Sequence, residues 1–442
     1  MDEVPDVKRL PLAPSRRATW YGWFVVAMGA LVFMSNYTDK TLMSVVAPHM
    51  ISDMHVSKLA MGGIFSAFAL TYTVLQPLLA WGADVYGARR SVGLMVLWYG
   101  LFTVLSGISV FNLTALTWMR AATGVGEAAS MPAATGGVSP WVPSGYRTVS
   151  QGVMHATTRL GAALTVPVSV AAITAFGIPG PFYIFGFATI LIGLIWVAAY
   201  RTPRGGASRN RLTQGRGVWL AILRSRSMWA LCVADFCYFY TLTIYLTWLP
   251  TFLIKDHHFT MLKVGIYGFL PFVGGIFGSV GSGILCDYLS ARTGNTRLWR
   301  RVIPSVGMVC SVLLLVPAVY AHGQMLTIML FFCSFFFLDA TISVFWAIAM
   351  DMGGTYAATA AGWMNTWANV GGVISPIVFG ALVQITGSWT LPFLVACVLM
   401  LIGAAAVWLI DPDMRLSNLV GKYQDLGSKI ATPTESGSQS VI

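Results

Sequence analysis

The chain has 442 residues, 56% of them hydrophobic and only 10% charged, and it carries a formal net charge of +11. A soluble domain has about 25% charged residues, and apolar runs of about twenty residues, each able to cross ~30 Å of hydrocarbon, recur along the whole length. No single core could hide them all, so a water-soluble enzyme or binding domain is excluded.

The N-terminus is polar and contains Lys8, Arg9, Arg16 and Arg17. The apolar run after it outlasts a signal-peptide core and lacks a small-residue cleavage pattern, so it is a retained first span. Twelve spans are predicted: 21–48, 60–83, 91–111, 114–139, 149–176, 180–200, 228–253, 262–286, 301–321, 325–350, 357–385 and 389–410. Between Arg201 and Arg226 the composition turns to Arg, Gly, Ser and Asn, which divides the spans six and six. The expected organisation is a tail at 1–20, a six-helix bundle at 21–200, a basic linker at 201–227, a second bundle at 228–410 and a polar, disordered tail at 411–442.

Charge placement sets the orientation. With the N-terminus in the cytoplasm, 21 of the 27 basic residues fall on the cytoplasmic side, and the outer loops hold only Lys58, Lys255 and Lys263. This asymmetry over mostly short loops is the positive-inside signature and puts both termini in the cytoplasm. The basic excess therefore reports topology and contact with the lipid bilayer rather than nucleic-acid binding. The six cysteines all lie in apolar segments and show no metal-ligand spacing. His49, His55, His257, His258 and His322 read as solvated loop residues, so no metal site is expected. No phosphate-binding glycine motif or nucleophile elbow is present, which leaves ion or solute gradients as the energy source.

A weak internal repeat relates the halves. Asp84, Gly87, Arg89 and Arg90 follow the second span, and Asp287 and Arg292 follow the eighth. Parallel repeats of this kind belong to carriers that rock about a central site. The loop Asp84…Gly87…Arg89-Arg90 resembles that of the major facilitator superfamily, although Ala80 and Val85 depart from its common pattern. In the fourth span, Arg120, Gly124, Gly126-Glu127-Ala128 and Pro132, then Trp141, Pro143 and Arg147, resemble the anion:cation symporter family, which includes bacterial galactonate, glucarate and hexuronate transporters and the relatives sialin and the vesicular glutamate transporters. Asn36-Tyr37-x-Asp39, Trp248-Leu249-Pro250, Phe345-Trp346-Ala347 and Gly362-x2-Asn365-x3-Asn369 agree with it. The resemblance implies an all-α membrane protein of two six-helix bundles in a bacterial cytoplasmic membrane, working as a monomer without a cofactor. It also implies symport of a small organic anion with protons, or alternatively anion exchange or facilitated diffusion. A transporter-like receptor or a membrane enzyme lacks support, having neither a signalling tail nor a catalytic constellation.

Seven ionisable residues sit inside spans: Asp39, Lys40, Arg120, Glu127, Arg159, Asp235 and Asp339. Each costs roughly 2.5–3.5 kcal/mol at the membrane centre on the lenient insertion scale, so each is expected to face a wet cavity or a partner. Arg120 and Glu127 share a helix face but lie ~10 Å apart along it, so each needs a partner on another helix. The resemblance assigns proton uptake to Glu127 and Asp39 and anion binding to nearby basic residues. A buried ion pair that only locks packing is the other reading of Glu127. Lys40 stands where the family has Arg and offers a point charge instead of a fork; it is an anion anchor, a partner of Asp39 or a snorkelling amine. Arg159 and His155 occupy positions where the family has a small polar residue and Asn. Arg159 either reads a second anionic group of the substrate or pairs with Asp339 or Glu127 to close a gate. Tyr37, Arg120, His155 and Asn365 complete the candidate substrate site, and the roles of Asp235 and Asp339 stay open. Tyr238, Tyr240, Tyr245, Trp346 and Trp363 are further candidates for the cavity wall.

Overall fold

The computed structural model describes residues 16–202 and 215–421, apart from 258, 261, 262 and 264–266. Residues 1–15, 203–214 and 422–442 of the expected tails and linker, together with His258, thus lie outside the described residues, whereas 416–421, expected to be disordered, are helical with Leu416 and Val420 buried. Among those described, helices and turns account for the structure and no strand occurs. The first half comprises α1 (Arg16–Asp53), α2 (Lys58–Tyr86), α3 (Ala88–Ser109), α4 (Leu113–Glu127), α5 (Ser130–Val138), α6 (Arg147–Phe176) and α7 (Gly180–Ala199). The second comprises α8 (Gly215–Arg224), α9 (Arg226–Thr247), α10 (Leu249–Lys255), α11 (Leu270–Thr293), α12 (Thr296–Tyr320), α13 (Gln324–Asp339), α14 (Ile342–Gly353), α15 (Ala357–Thr386) and α16 (Leu391–Val407).

Helix occupies each of the twelve predicted spans, but the fourth, seventh and tenth are each two helices: α4 and α5, α9 and α10, α13 and α14. Eight helical stretches are apolar and long enough to cross a membrane by themselves, and one of these, Gln324–Thr386, covers two crossings. The remaining spans are shorter or carry the charges discussed below. Within the eighth span, α11 starts at Leu270 with Pro271 in its first turn, where the missing N–H is not needed. The linker also contains α8, a short amphipathic helix whose Val218, Ala221 and Ile222 are buried and whose Trp219 stands edge-on to Trp363.

Local chemistry explains the helix ends. Ser57, Asn112, Ser225 and Asn295 each accept a hydrogen bond from the backbone N–H three residues on, satisfying a donor that the first turn leaves free. Gly87, with φ of 86°, makes the one-residue turn between α2 and α3 that an L side chain would strain. Outward stripes such as Leu70, Val74 and Leu78 on α2 are more than half exposed, as lipid-facing positions must be. Between helices, small residues allow backbone approach: a Cβ on Gly152 would collide with the Ser279 carbonyl oxygen of the other half.

The two halves are structural repeats. α6 and α15 are both 30 residues long, each preceded by a single 3₁₀ turn. Aligning their first residues sets Gly152 against Gly362, His155 against Asn365, Arg159 against Asn369 and Gly161 against Gly371. The halves meet where α2 and α5 pack on α15, and where α6 packs on α11 and α14.

Candidate functional site

The halves are sealed at the face where α1 begins and α16 ends, which carries most of the described arginines and is called the basic face here. Two aspartates make reciprocal caps across the seal. Asp84, at the end of α2, accepts from the Ala358 and Thr359 amides (3.2 and 2.7 Å) and the Thr359 hydroxyl (2.6 Å) at the start of α15. Asp287, near the end of α11, accepts from the Val149 amide (2.9 Å) at the start of α6. Each places a carboxylate where free N–H groups and the helix dipole favour negative charge. Beside them Asp351 of α14 accepts from Arg300 in its own half and from Arg147 in the other. Arg89 donates to the Val197 carbonyl (2.9 Å) within the first half, and Arg90 is exposed. The sequence therefore pointed to Asp84 and Asp287 but missed Asp351, whose only signal was an acid at a helix end facing a surplus of arginines. Among the described residues, hydrogen bonds between the halves run from this face to mid-depth and none occurs toward the opposite face.

Above the seal lies a narrow cavity between the halves. Tyr37, Lys40, Tyr72, Met131, His155 and Arg159 come from the first half, and Tyr238, Phe239, Ile342, Trp346, Asn365 and Asn369 from the second. It spans about 340 Å³ of atom-free space, with the solvent at its mouth included. A larger hollow of about 920 Å³ lies at the basic face beside Tyr21, Phe24, Arg89 and Arg201. None of the charges buried within the spans lines it, and it is set aside as a transport site.

Charge is distributed unevenly around the cavity. Lys40 Nζ stands 4.1 Å above the Tyr72 ring and 5.3 Å from the Tyr37 ring, and no carboxylate lies within ion-pair distance of it among the described residues. Tyrosine faces partly replace the water that an ammonium group loses on burial. Asp39, one residue earlier, turns the other way. It accepts from Arg120 Nη1 (2.8 Å) and from the Thr103 hydroxyl (2.7 Å), inside the first half. Arg120 is thus placed against Asp39 and over Phe68 (4.8 Å), not on the cavity wall.

Glu127 is fully buried and neither carboxyl oxygen has a hydrogen-bond partner. Asp39, Lys40 and Arg120 are the charged groups near enough to act on it. It ends α4 at a break whose freed carbonyl is answered by Ser130 Oγ (3.0 Å) and Asn36 Nδ2 (3.4 Å), as a broken helix at membrane depth requires. Asp339 ends α13 at the equivalent break in the second half, where the Thr341 hydroxyl donates to the Leu338 carbonyl (2.8 Å). Unlike Glu127, Asp339 is held on both oxygens. Arg159 donates from Nε (2.8 Å) and Nη2 (3.0 Å), and the Tyr238 hydroxyl donates at 2.6 Å. This pair joins α6 to α13 and so links the halves at mid-membrane.

His155 donates through Nδ1 to the Gln151 carbonyl (2.9 Å) and stands edge-on to Phe33 and Trp346. A carbonyl can only accept, which fixes a proton on Nδ1 and leaves Nε2 for the cavity. Asn365 lines the cavity, and Asn369 donates to the Asn365 carbonyl (2.6 Å) and to Gln76 of the first half (3.2 Å). Of the other aromatic candidates, Tyr238 and Trp346 line the cavity. Tyr245 instead bonds Ser334, Trp363 joins Trp219, Trp229 and Trp367, and Tyr240 is buried away from the cavity. Asp235 is buried in α9 with both oxygens unpartnered and is not on the wall. Away from the site, His257 is packed on Phe252 and bonded to the Val319 carbonyl instead of being solvated, because the chain folds back after α10. The described residues hold no cluster of three metal-ligating side chains.

Comparison with known proteins agrees with this architecture. A family model described as Major Facilitator Superfamily matches residues 29–376. The chain is 32% identical over 411 residues to "Probable sulfoacetate transporter SauU" of Cupriavidus necator, covering 89% of this chain and 95% of that one. It is 26% identical over 408 residues to "Probable galactarate/D-glucarate transporter GudP" of Bacillus subtilis, covering 86% and 89%. The crystal structure of FucP in the outward conformation matches with a TM-score of 0.72 at 14% identity, over 88% of this chain and 99% of that one, which shows the shared fold. The second name is among those that a resemblance to anion:cation symporters implies, and the first is consistent with it. The chain is a multi-pass membrane transporter, not an enzyme, and it belongs to the Major Facilitator Superfamily.

Proposed function

We propose that this chain carries a small organic anion inward together with protons by alternating access, in a bacterial cytoplasmic membrane with its basic face inside. The observation that carries the proposal is Glu127, a fully buried carboxyl with no hydrogen-bond partner next to a cavity wall that displays an unpaired Lys40. A bare carboxylate there has a desolvation cost that no contact offsets. Taking a proton removes the charge, and an anion arriving at Lys40 alters the field in which that proton is held. Asp39, gripped by Arg120 and Thr103, is the second proton site. The names of the two relatives, which refer to sulfoacetate and to galactarate and glucarate, support an organic acid as cargo.

The test is transport by the purified chain in proteoliposomes with a panel of radiolabelled organic acids. Under an inward proton gradient the wild type concentrates an acid above its outside level. Glu127→Gln loses that accumulation but still trades labelled for unlabelled acid across the membrane. A wild type that only equilibrates the acid, or only exchanges it, would convert the reading to facilitated diffusion or exchange.

A further inference from the structure

We infer that the cavity is built for a short organic dianion, with Lys40 holding one anionic group and Arg159 the other in exchange for Asp339. This rests on the transport reading above and names the substrate class for the same cavity.

Both cations share one aromatic ring. Lys40 Nζ is 5.3 Å and Arg159 Cζ is 5.7 Å from the centroid of Tyr37, so the two charges are no more than about 11 Å apart. A charge-assisted contact takes up about 3 Å at each end, which leaves at most about 5 Å between the two anionic groups of one bound molecule. A dicarboxylate or similar dianion with one or two carbons between its charged groups fits that gap. A six-carbon diacid in extended form does not.

The two cations are prepared differently. Lys40 has no carboxylate partner and is available to the first anionic group. Arg159 is 5% exposed and already holds Asp339 through Nε and Nη2, while its Nη1 is buried with no partner. A guanidinium presents a fork that matches a planar or tetrahedral oxyanion, and the unused Nη1 gives an arriving group a first contact before Asp339 is released. Asp339 does not become bare in the exchange, because the Tyr238 hydroxyl already donates to it at 2.6 Å. Arg159 belongs to the first half and Asp339 to the second, so moving the guanidinium from carboxylate to substrate also unfastens the halves at mid-membrane. Binding can drive such a change only through a difference in affinity between the two conformations, and the Asp339 contact supplies that difference. A monoanion satisfies Lys40 alone and leaves the latch closed.

The experiment compares malonate and succinate with their monomethyl esters, and with adipate, by calorimetric titration of the purified chain in lipid nanodiscs. The expected wild-type result is binding of malonate or succinate roughly tenfold or more tighter than of its ester, with adipate close to the ester. Arg159→Ser combined with Asp339→Asn removes the buried pair together, so no charge is orphaned and the chain stays folded. That double variant should bind the esters as before and lose the preference for the diacids. Asp339→Asn alone frees the guanidinium and should tighten diacid binding. A wild type with equal affinity for diacid and ester, or a double variant that weakens both equally, overturns the assignment of Arg159 while leaving organic-acid transport standing. A wild type that binds none of these acids and transports none of the wider panel overturns the transport reading as well.

Discussion

The two halves break the same helix at the same place and put an acid at each break, yet they treat the two acids in opposite ways. The Glu127 carboxyl at the end of α4 has no hydrogen-bond donor on either oxygen, whereas that of Asp339 at the end of α13 is gripped by a forked arginine and a tyrosine. Repetition accounts for the breaks. The difference lies in the neighbours: the first half gives its arginine, Arg120, to Asp39, while the second half borrows Arg159 from across the interface. One acid is left free to exchange a proton, and the other is used as a latch. The division of labour within this fold therefore comes from side chains near the break, not from the break itself.

The largest expected effect that separates the two acids is on stability. Asp339→Ala leaves Arg159 buried without a counter-ion and should cost ~3–5 kcal/mol. Glu127→Gln breaks no hydrogen bond and should stay within about 1 kcal/mol of the wild type. Chemical denaturation of the two variants in the same detergent compares them directly, and equal losses would erase the distinction between latch and free acid. Next in size is Lys40→Ala, expected to weaken anion binding roughly ten- to a hundredfold with no loss of stability, because the ammonium group has no protein carboxylate to abandon. Unchanged affinity in a titration would remove Lys40 from the site and make it a packing residue against Tyr37 and Tyr72. The smallest effect concerns the seal. Asp84→Asn weakens the cap on α15 by about 1 kcal/mol. Hydrogen exchange at Ala358 and Thr359 should then quicken about fivefold, while Val149, capped by Asp287, keeps its rate. Exchange that quickens equally at both ends would show that the two caps act as one unit.

Much of this was legible in the sequence, and the reasons differ from residue to residue. Span positions and the division six and six follow from hydropathy and from the Arg201–Arg226 composition break, since a bilayer imposes length and polarity directly. The seven intramembrane charges stand out for the same reason. Their pairing was not legible. That Arg120 reaches Asp39 while Lys40 does not depends on the rotation of α1, which places neighbours 39 and 40 on different faces. The helix breaks were also hidden, because averaging hydropathy over about twenty residues passes across a two-residue interruption. Local signals existed in Gly124-x-Gly126 before Glu127 and in Ser130 and Thr341 after the two breaks, where small residues and hydroxyls can satisfy a freed carbonyl. Arg159 was found because it departs from the resemblance, and its partner Asp339 could be named but not chosen over Glu127.

The measurement that reaches the centre of this account is concentrative uptake in proteoliposomes for Glu127→Gln and Asp339→Asn side by side, under the same inward proton gradient. The expected result is that Glu127→Gln retains counterflow but no longer accumulates substrate, and that Asp339→Asn still accumulates it. Accumulation by Glu127→Gln at the wild-type level, with the loss falling on Asp339→Asn instead, would contradict the assignment of the free acid to coupling and of the paired acid to the latch.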